Sequence, residues 1–183
     1  MFQADIIEKC KQNDRQAQLK LYNQYCKGMY CVARRFVHDS MEAEDVVQEA
    51  FIKAFTKIEQ FQAEVTFGAW LKRIVINKSI DLLKSKKQRM LELEEVHLKI
   101  VDTDDKDEWL VEDEITIDEV KEAIEELPEK YKYVVMLYLI EGYDHQEISE
   151  ILGITQVASR TQLYRGKEKL QELLKPEKNG TRS

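Results

Sequence analysis

The chain has 183 residues, 43% of them apolar, and its 28 basic and 35 acidic side chains give a formal net charge of -7. That length allows one domain or two small ones, and only six glycines and two prolines exclude a turn-rich β protein and predict an all-α fold. No apolar run approaches the ~18 residues of a membrane span, and no leader pattern opens the chain, so a cytoplasmic protein without membrane insertion is expected.

The three cysteines, Cys10, Cys26 and Cys31, form no CxxC pair, which suggests neither a zinc knuckle nor a disulfide framework. The histidines stand singly at His38, His97 and His145, without partners at ligand spacing. No nucleophile, base or metal cluster is recognisable, so neither an enzyme nor a cofactor is expected.

In chain order, residues 1–90 read as consecutive helices. "DRQAQLKLYNQYCKGMYCVARRFV" carries Leu19, Tyr22, Cys26 and Tyr30 near helical spacing. "HDSMEAEDVVQEAFIKAFTKI" begins with Asp39 and Glu42, the spacing of a capping box. After the polar loop "EQFQAEV" a third helix follows, "TFGAWLKRIVINKSIDLLKSKK".

The composition then changes. Between Glu92 and Glu126 there are sixteen Asp or Glu against three Lys, and like-charge repulsion with few apolar groups predicts a flexible acidic linker over 91–115. A second helical domain is expected over 116–176, followed by a disordered tail over 177–183. "TIDE" at 116–119 has capping-box spacing, and its helix should stop at Leu127, before Pro128. "EKYKYVVMLYLIEG" predicts an apolar helix closed by Gly142, and "DHQE" at 144–147 opens another that ends at Gly153. In the last helix, from about Thr155 to Leu174, the spacing of Ser159, Leu163, Gly166 and Leu170 places that row inward. Arg160, Thr161, Tyr164, Arg165 and Lys167 are left outward or on the flanks.

Two helices joined by a glycine turn, the second bearing Gln156, Arg160, Thr161 and Arg165 in its first half, have the chemistry of a helix-turn-helix that reads a DNA major groove. A second basic segment lies far away in the chain. Between Lys72 and Arg89 there are seven Lys or Arg and one acid, Asp81, beside Phe61, Phe67 and Trp70. Rings next to positive charge suit single-stranded nucleic acid, where bases stack and the backbone follows the cations.

"MEAEDVVQEAFIKAF", "FGAWLKRIVINKSIDLLK", the acidic segment, and "LPEKYKYVVMLYLIEGYDHQEISEILGITQVASRTQLYRGKEKL" together resemble the extracytoplasmic-function (ECF) sigma factors of bacteria. The resemblance spans nearly the whole chain as sigma-70 regions two and four. It implies two small helical domains and a core RNA polymerase partner. The "EDVVQEAF" helix would dock on the clamp of the largest subunit through Asp45, Gln48, Glu49 and Ile52, whose spacing puts them on one helix face. It further implies that Phe61, Trp70, Lys72, Arg73, Asn77 and Lys78 read and melt the minus-ten promoter element. Gln156, Arg160, Thr161, Tyr164, Arg165 and Lys167 would read the minus-thirty-five element as duplex. Many relatives carry a small residue ahead of the recognition helix's Thr or Ser, where this chain has Val157 and then Ala158. An anti-sigma factor is the implied inhibitor. The rival reading is a stand-alone helix-turn-helix regulator, which leaves the segment from Phe61 to Arg89 without a task.

Overall fold

The computed structural model describes residues 2–91 and 115–175, and every regular element among them is helical. The linker expected over 91–115 and the tail over 177–183 lie, apart from residues 91 and 115, outside the described residues. The chain divides into two compact units, Met1–Val96 and His97–Ser183.

The first unit holds α1 (Phe2–Lys11), α2 (Arg15–Phe36), α3 (Ser40–Thr56), a 3-10 turn (Ile58–Gln60) and α4 (Phe67–Leu91). Asp14 caps α2, its carboxylate accepting from the backbone N–H groups of Gln16 and Ala17 at 2.8 and 3.1 Å; this satisfies donors that a helix start leaves orphaned. Asp39 caps α3 in the same way, at 2.9 Å from the Glu42 N–H. The reciprocal half expected of a capping box is replaced by a tertiary contact: the Glu42 carboxylate pairs with Lys86 of α4.

The core of this unit follows from spacing. On α3, Ala43, Val46, Val47, Ala50, Phe51 and Ala54 recur at three and four residues and are all buried, so one stripe packs on α2 and α4. The alanines let neighbouring backbones approach. On α4, Phe67, Leu71, Val75, Ile76 and Ile80 complete the core, each large side chain contributing on the order of 1.5–3 kcal/mol of burial. Ser79 is fully buried among them, and its hydroxyl donates to the Val75 carbonyl at 2.9 Å. On α2 the core row is Ala17, Leu21, Met29, Val32, Ala33 and Phe36. The row of Leu19, Tyr22, Cys26 and Tyr30 runs beside it, with Leu19 exposed and the other three half-buried.

The second unit holds α5 (Ile117–Glu126), α6 (Glu129–Val135), a π turn (Met136–Ile140), α7 (His145–Leu152) and α8 (Gln156–Leu174). Both expected capping boxes form, Thr116 with Glu119 and Asp144 with Glu147. Pro128 stops α5 by forcing Leu127 into extended backbone, ψ 144°. α6 does not run regularly to Gly142. After Val135 it widens, and the Glu141 N–H donates five residues back to the Met136 carbonyl at 3.1 Å, the signature of a π turn. Gly153 takes φ 70°, ψ 37° between α7 and α8, the left-handed conformation that glycine enters without a Cβ clash.

Candidate nucleic-acid interface

Helix α8 is positioned by its inner row. Ser159, Leu163, Gly166 and Leu170 are its buried residues, as the spacing requires, and the helix packs on α6, α7 and α5. Its approach to α6 is close: a Cβ on Gly166 would lie 2.5 Å from Val135 Cγ2 and 3.3 Å from Tyr131 Cβ. Thr155 caps it, the hydroxyl accepting from the Ala158 N–H at 3.0 Å.

The expected DNA-reading residues lie outside that row or on its flanks. Gln156 and Arg160 are exposed, and Thr161, Tyr164, Arg165 and Lys167 are half-buried. Several are held by their neighbours. The Thr161 hydroxyl donates to the Val157 carbonyl at 3.0 Å. A hydrogen bond to Glu168, and that residue's negative charge, raise the Tyr164 phenol above its ordinary range. Lys167 Nζ sits 5.7 Å from the Tyr138 ring centroid, close enough for a cation–π contact. Tyr138 stacks on His145 at 5.1 Å, and His145 Nδ1 lies 2.9 Å from the buried Ser159 hydroxyl. This sequence of contacts ties the flank of α8 to the π turn and to the start of α7.

In the first unit, Phe61, Phe67 and Trp70 form one aromatic cluster with ring centroids 5.4–5.8 Å apart. Phe67 and Phe61 are buried, whereas Trp70 is half-buried. Phe61, expected at the nucleic-acid face, therefore belongs to the hydrophobic floor beneath Trp70, because the loop after the 3-10 turn folds back on the start of α4. Trp70, Arg73 and Asn77 are three and four residues apart and share a face of α4; Lys72 lies off it. Lys72, Arg73, Asn77 and Lys78 are all half-buried. Lys78 Nζ bonds Glu49 of α3 at 2.7 Å.

Asp45, Gln48, Glu49 and Ile52 all lie on the exposed side of α3, with Ile52 66% exposed. Met41, which the sequence motif did not single out, is 74% exposed one helical turn before Asp45. A groove of about 380 Å³ runs beside this face, between α2 and α3, lined by Tyr22, Tyr30, Val47 and Gln48 among others. Among the described residues no three His, Cys, Asp or Glu side chains gather as a metal site, and no helix is long and apolar enough to cross a membrane.

Comparison with known proteins agrees with this division. Residues 21–89 match the family model of Sigma-70 region 2, and residues 117–170 match that of Sigma-70, region 4. The chain is 32% identical to the ECF RNA polymerase sigma factor SigW of Bacillus subtilis over 177 residues, covering 92% of this chain and 95% of that one. It is 30% identical to the ECF RNA polymerase sigma-E factor of Haemophilus influenzae over 182 residues, with 93% and 94% covered. The fold is similar to that of the sigma factor RpoE from Bartonella quintana, solved in complex with the anti-sigma factor NepR, at a TM-score of 0.56 and 20% identity over 86% of this chain and 96% of that one. The chain belongs to the ECF RNA polymerase sigma factors of the sigma-70 family.

Proposed function

We propose that the two units act as the two promoter-reading parts of this sigma factor, residues 1–90 at the minus-ten element and residues 116–176 at the minus-thirty-five element, with 91–115 as the tether. The observation that carries this reading is the surface of α8 outside its buried row, where Gln156 and Arg160 are exposed and Arg165 and Lys167 are half-buried on the flanks. Such side chains hydrogen-bond base edges and phosphates in a major groove. The stand-alone regulator is not favoured, since the family accounts for both units.

In the first unit, Trp70 stacks on a minus-ten base with Phe61 and Phe67 beneath it, while Arg73 and Asn77 follow on the same face. Lys72 and Lys78 supply charge from its margins. Asp45, Gln48, Glu49 and Ile52 dock on the clamp of the largest polymerase subunit, a polar and acidic surface with one apolar contact.

Magnitudes explain why the polymerase is needed. Opening DNA loses stacking of about 1.4 kcal/mol per step, and one aromatic platform returns only roughly 1–3 kcal/mol per base. A chain of this size does not melt a promoter unaided. Free, it binds promoter DNA weakly, because the acidic tether competes for the same cations; in the assembled enzyme that tether occupies the path of the transcript. A separate anti-sigma factor, of the kind seen with the Bartonella relative, holds it inactive in the cytoplasm. The protein itself carries out no catalysis and takes no cofactor or metal.

Run-off transcription with purified core polymerase on a library of promoter fragments tests the reading. Initiation dependent on this chain, lost in Arg160→Ala, is the expected result; core polymerase that ignores the chain overturns it.

A further inference from the structure

The buried row of α8 has one polar member. Ser159 is fully buried, and its hydroxyl shares a hydrogen bond of 2.9 Å with Nδ1 of His145, the first residue of α7. A hydroxyl both donates and accepts, so the bond holds in either tautomer of the ring. His145 is itself fixed from two sides. Its ring stacks on Tyr138 of the π turn with centroids 5.1 Å apart. Its backbone lies inside a capping box, where the Asp144 carboxylate accepts from the Glu147 N–H at 2.8 Å and the Glu147 carboxylate accepts from the Asp144 N–H at 3.1 Å.

This bond sits where the proposed reading residues are. Ser159 is the first member of the buried row, it adjoins Arg160 in the chain, and Gln156 and Thr161 lie within one helical turn of it. A serine brings little apolar area, and hydrophobic burial has no preferred direction, so packing fixes the rotation of the helix only weakly at this end. Further along, Gly166 lets α8 close on Val135 and Tyr131 but offers no side chain to interlock. A hydrogen bond, in contrast, is directional. Side chains reach about 5–6 Å from the axis of a helix, so a rotation of about 10° moves their ends by about 1 Å. That exceeds the range of roughly 0.5 Å over which an N–H···O bond keeps its ordinary length.

We infer that the His145–Ser159 hydrogen bond sets the rotation of α8 about its own axis and so determines which base edges Gln156, Arg160 and Thr161 reach. His145 and Ser159 are thus positioning residues for sequence discrimination at the minus-thirty-five element, touching no base themselves. The inference rests on the reading of α8 as the DNA-reading helix. The stack on Tyr138 holds the His145 ring in place from the π turn, and the hydrogen bond passes that placement to α8. Contacts to phosphates are less sensitive to the rotation, because they carry no sequence information; losing the bond therefore relaxes the choice of bases more than it weakens binding.

The test uses the full chain assembled with purified core polymerase and promoter fragments randomised over the minus-thirty-five region, with run-off transcription from the best selected element compared with that from its single-base variants. Ser159→Ala and His145→Phe each remove the bond, the second while keeping a ring to stack on Tyr138. Each is expected to lower the discrimination ratio by about 2- to 10-fold, and the double variant is expected to lower it no further. His145→Asn places a polar atom as many bonds from the backbone as Nδ1 and is expected to restore most of the ratio without the stack. A loss of stability alone reduces transcription from every fragment equally and leaves the ratio unchanged, so that result overturns the inference, as do additive losses in the double variant. Arg160→Gln, which replaces a base-reading group, is the comparator. If it changes the selected sequence while Ser159→Ala and His145→Phe keep the wild-type ratio, the positioning role is overturned and the reading of α8 stands. If Arg160→Gln also leaves the selection unchanged, the reading of α8 fails and takes the positioning role with it.

Discussion

Glu49 of α3 and Lys78 of α4 are joined by an ion pair at 2.7 Å, although 29 residues separate them in the chain. One end lies on the surface proposed for the polymerase clamp and the other on the margin of the surface proposed for minus-ten DNA. A second pair, Glu42 with Lys86, joins the same two helices. These contacts leave part of the basic character of α4 neutralised by α3.

Stability should depend little on the Glu49–Lys78 pair. The lysine side chain is 29% and the carboxylate 61% exposed, and pairs in such a setting contribute roughly 0–1 kcal/mol. Urea unfolding of Glu49→Gln, Lys78→Gln and the double variant should give a coupling energy of about 1 kcal/mol or less. In transcription the two single variants should separate: Glu49→Gln weakens polymerase association, and Lys78→Gln lowers open-complex yield with association unchanged. Identical defects in both assays would mean that the pair acts only through the fold.

Two glycines should respond oppositely to alanine. A Cβ at Gly166 would meet Val135 Cγ2 at 2.5 Å, so Gly166→Ala must push α8 away from α6 and should destabilise the second unit by about 1–3 kcal/mol. Displacing α8 also moves Arg165, so minus-thirty-five binding should fall. Gly28, inside α2, has nothing within 4 Å of its would-be Cβ, and Gly28→Ala should stabilise the first unit by roughly 0.5–1 kcal/mol. Thermal melts of both variants check the two signs.

These contrasts show which features a sequence can carry. The inner row of α8 was legible because it depends only on helical spacing, and Ser159 and Gly166 are small enough to sit in it beside Leu163 and Leu170. The capping boxes at Thr116 and Asp144 were legible because the whole interaction spans four residues. At Asp39 the same spacing formed only half a box, since Glu42 found a lysine 44 residues away, which no local pattern reveals. The π turn after Val135 was hidden: Met136 to Ile140 reads as continuous apolar helix, and a one-residue widening leaves no mark on composition. The exposed face of α3 was legible as a face from the spacing of Asp45, Gln48, Glu49 and Ile52. Phe61 is placed at the nucleic-acid surface by the neighbouring charge and by the resemblance, and only the packing of its ring on Phe67 and Trp70 shows that it is buried.

The three thiols should react in order of exposure. Cys31 is exposed, Cys26 half-buried and Cys10 buried. Burial, with a smaller contribution from the charge of Asp14, pushes the Cys10 thiol from 9.0 up to about 11. Because the folded state holds that proton more tightly than the unfolded chain, the associated stability is complete below pH 9 and is lost as pH rises through about 11. Iodoacetamide at neutral pH should modify Cys31 first, Cys26 more slowly, and Cys10 only in denaturant. Cys10→Ala should flatten the alkaline decline of the first unit. In the second unit, burial and the charges of Glu129 and Glu125 push Tyr133 up to about 12, so Tyr133→Phe should flatten its own decline between pH 10 and 12.

Trp70 should show two separable roles. Its ring rests on Phe61 and Phe67 at 5.4 and 5.8 Å and is only half-buried, so part of its face remains for a base. Trp70→Phe keeps an aromatic on the floor of the cluster, whereas Trp70→Ala removes both packing and platform. The alanine variant should lower open-complex formation by the equivalent of about 1–3 kcal/mol, read as lost permanganate reactivity at the minus-ten element, with polymerase association intact. Trp70→Phe should recover most of that signal, because stacking requires a π face rather than an indole N–H. Recovery of unfolding stability by phenylalanine without recovery of strand opening would show that the indole makes a specific contact that stacking does not explain.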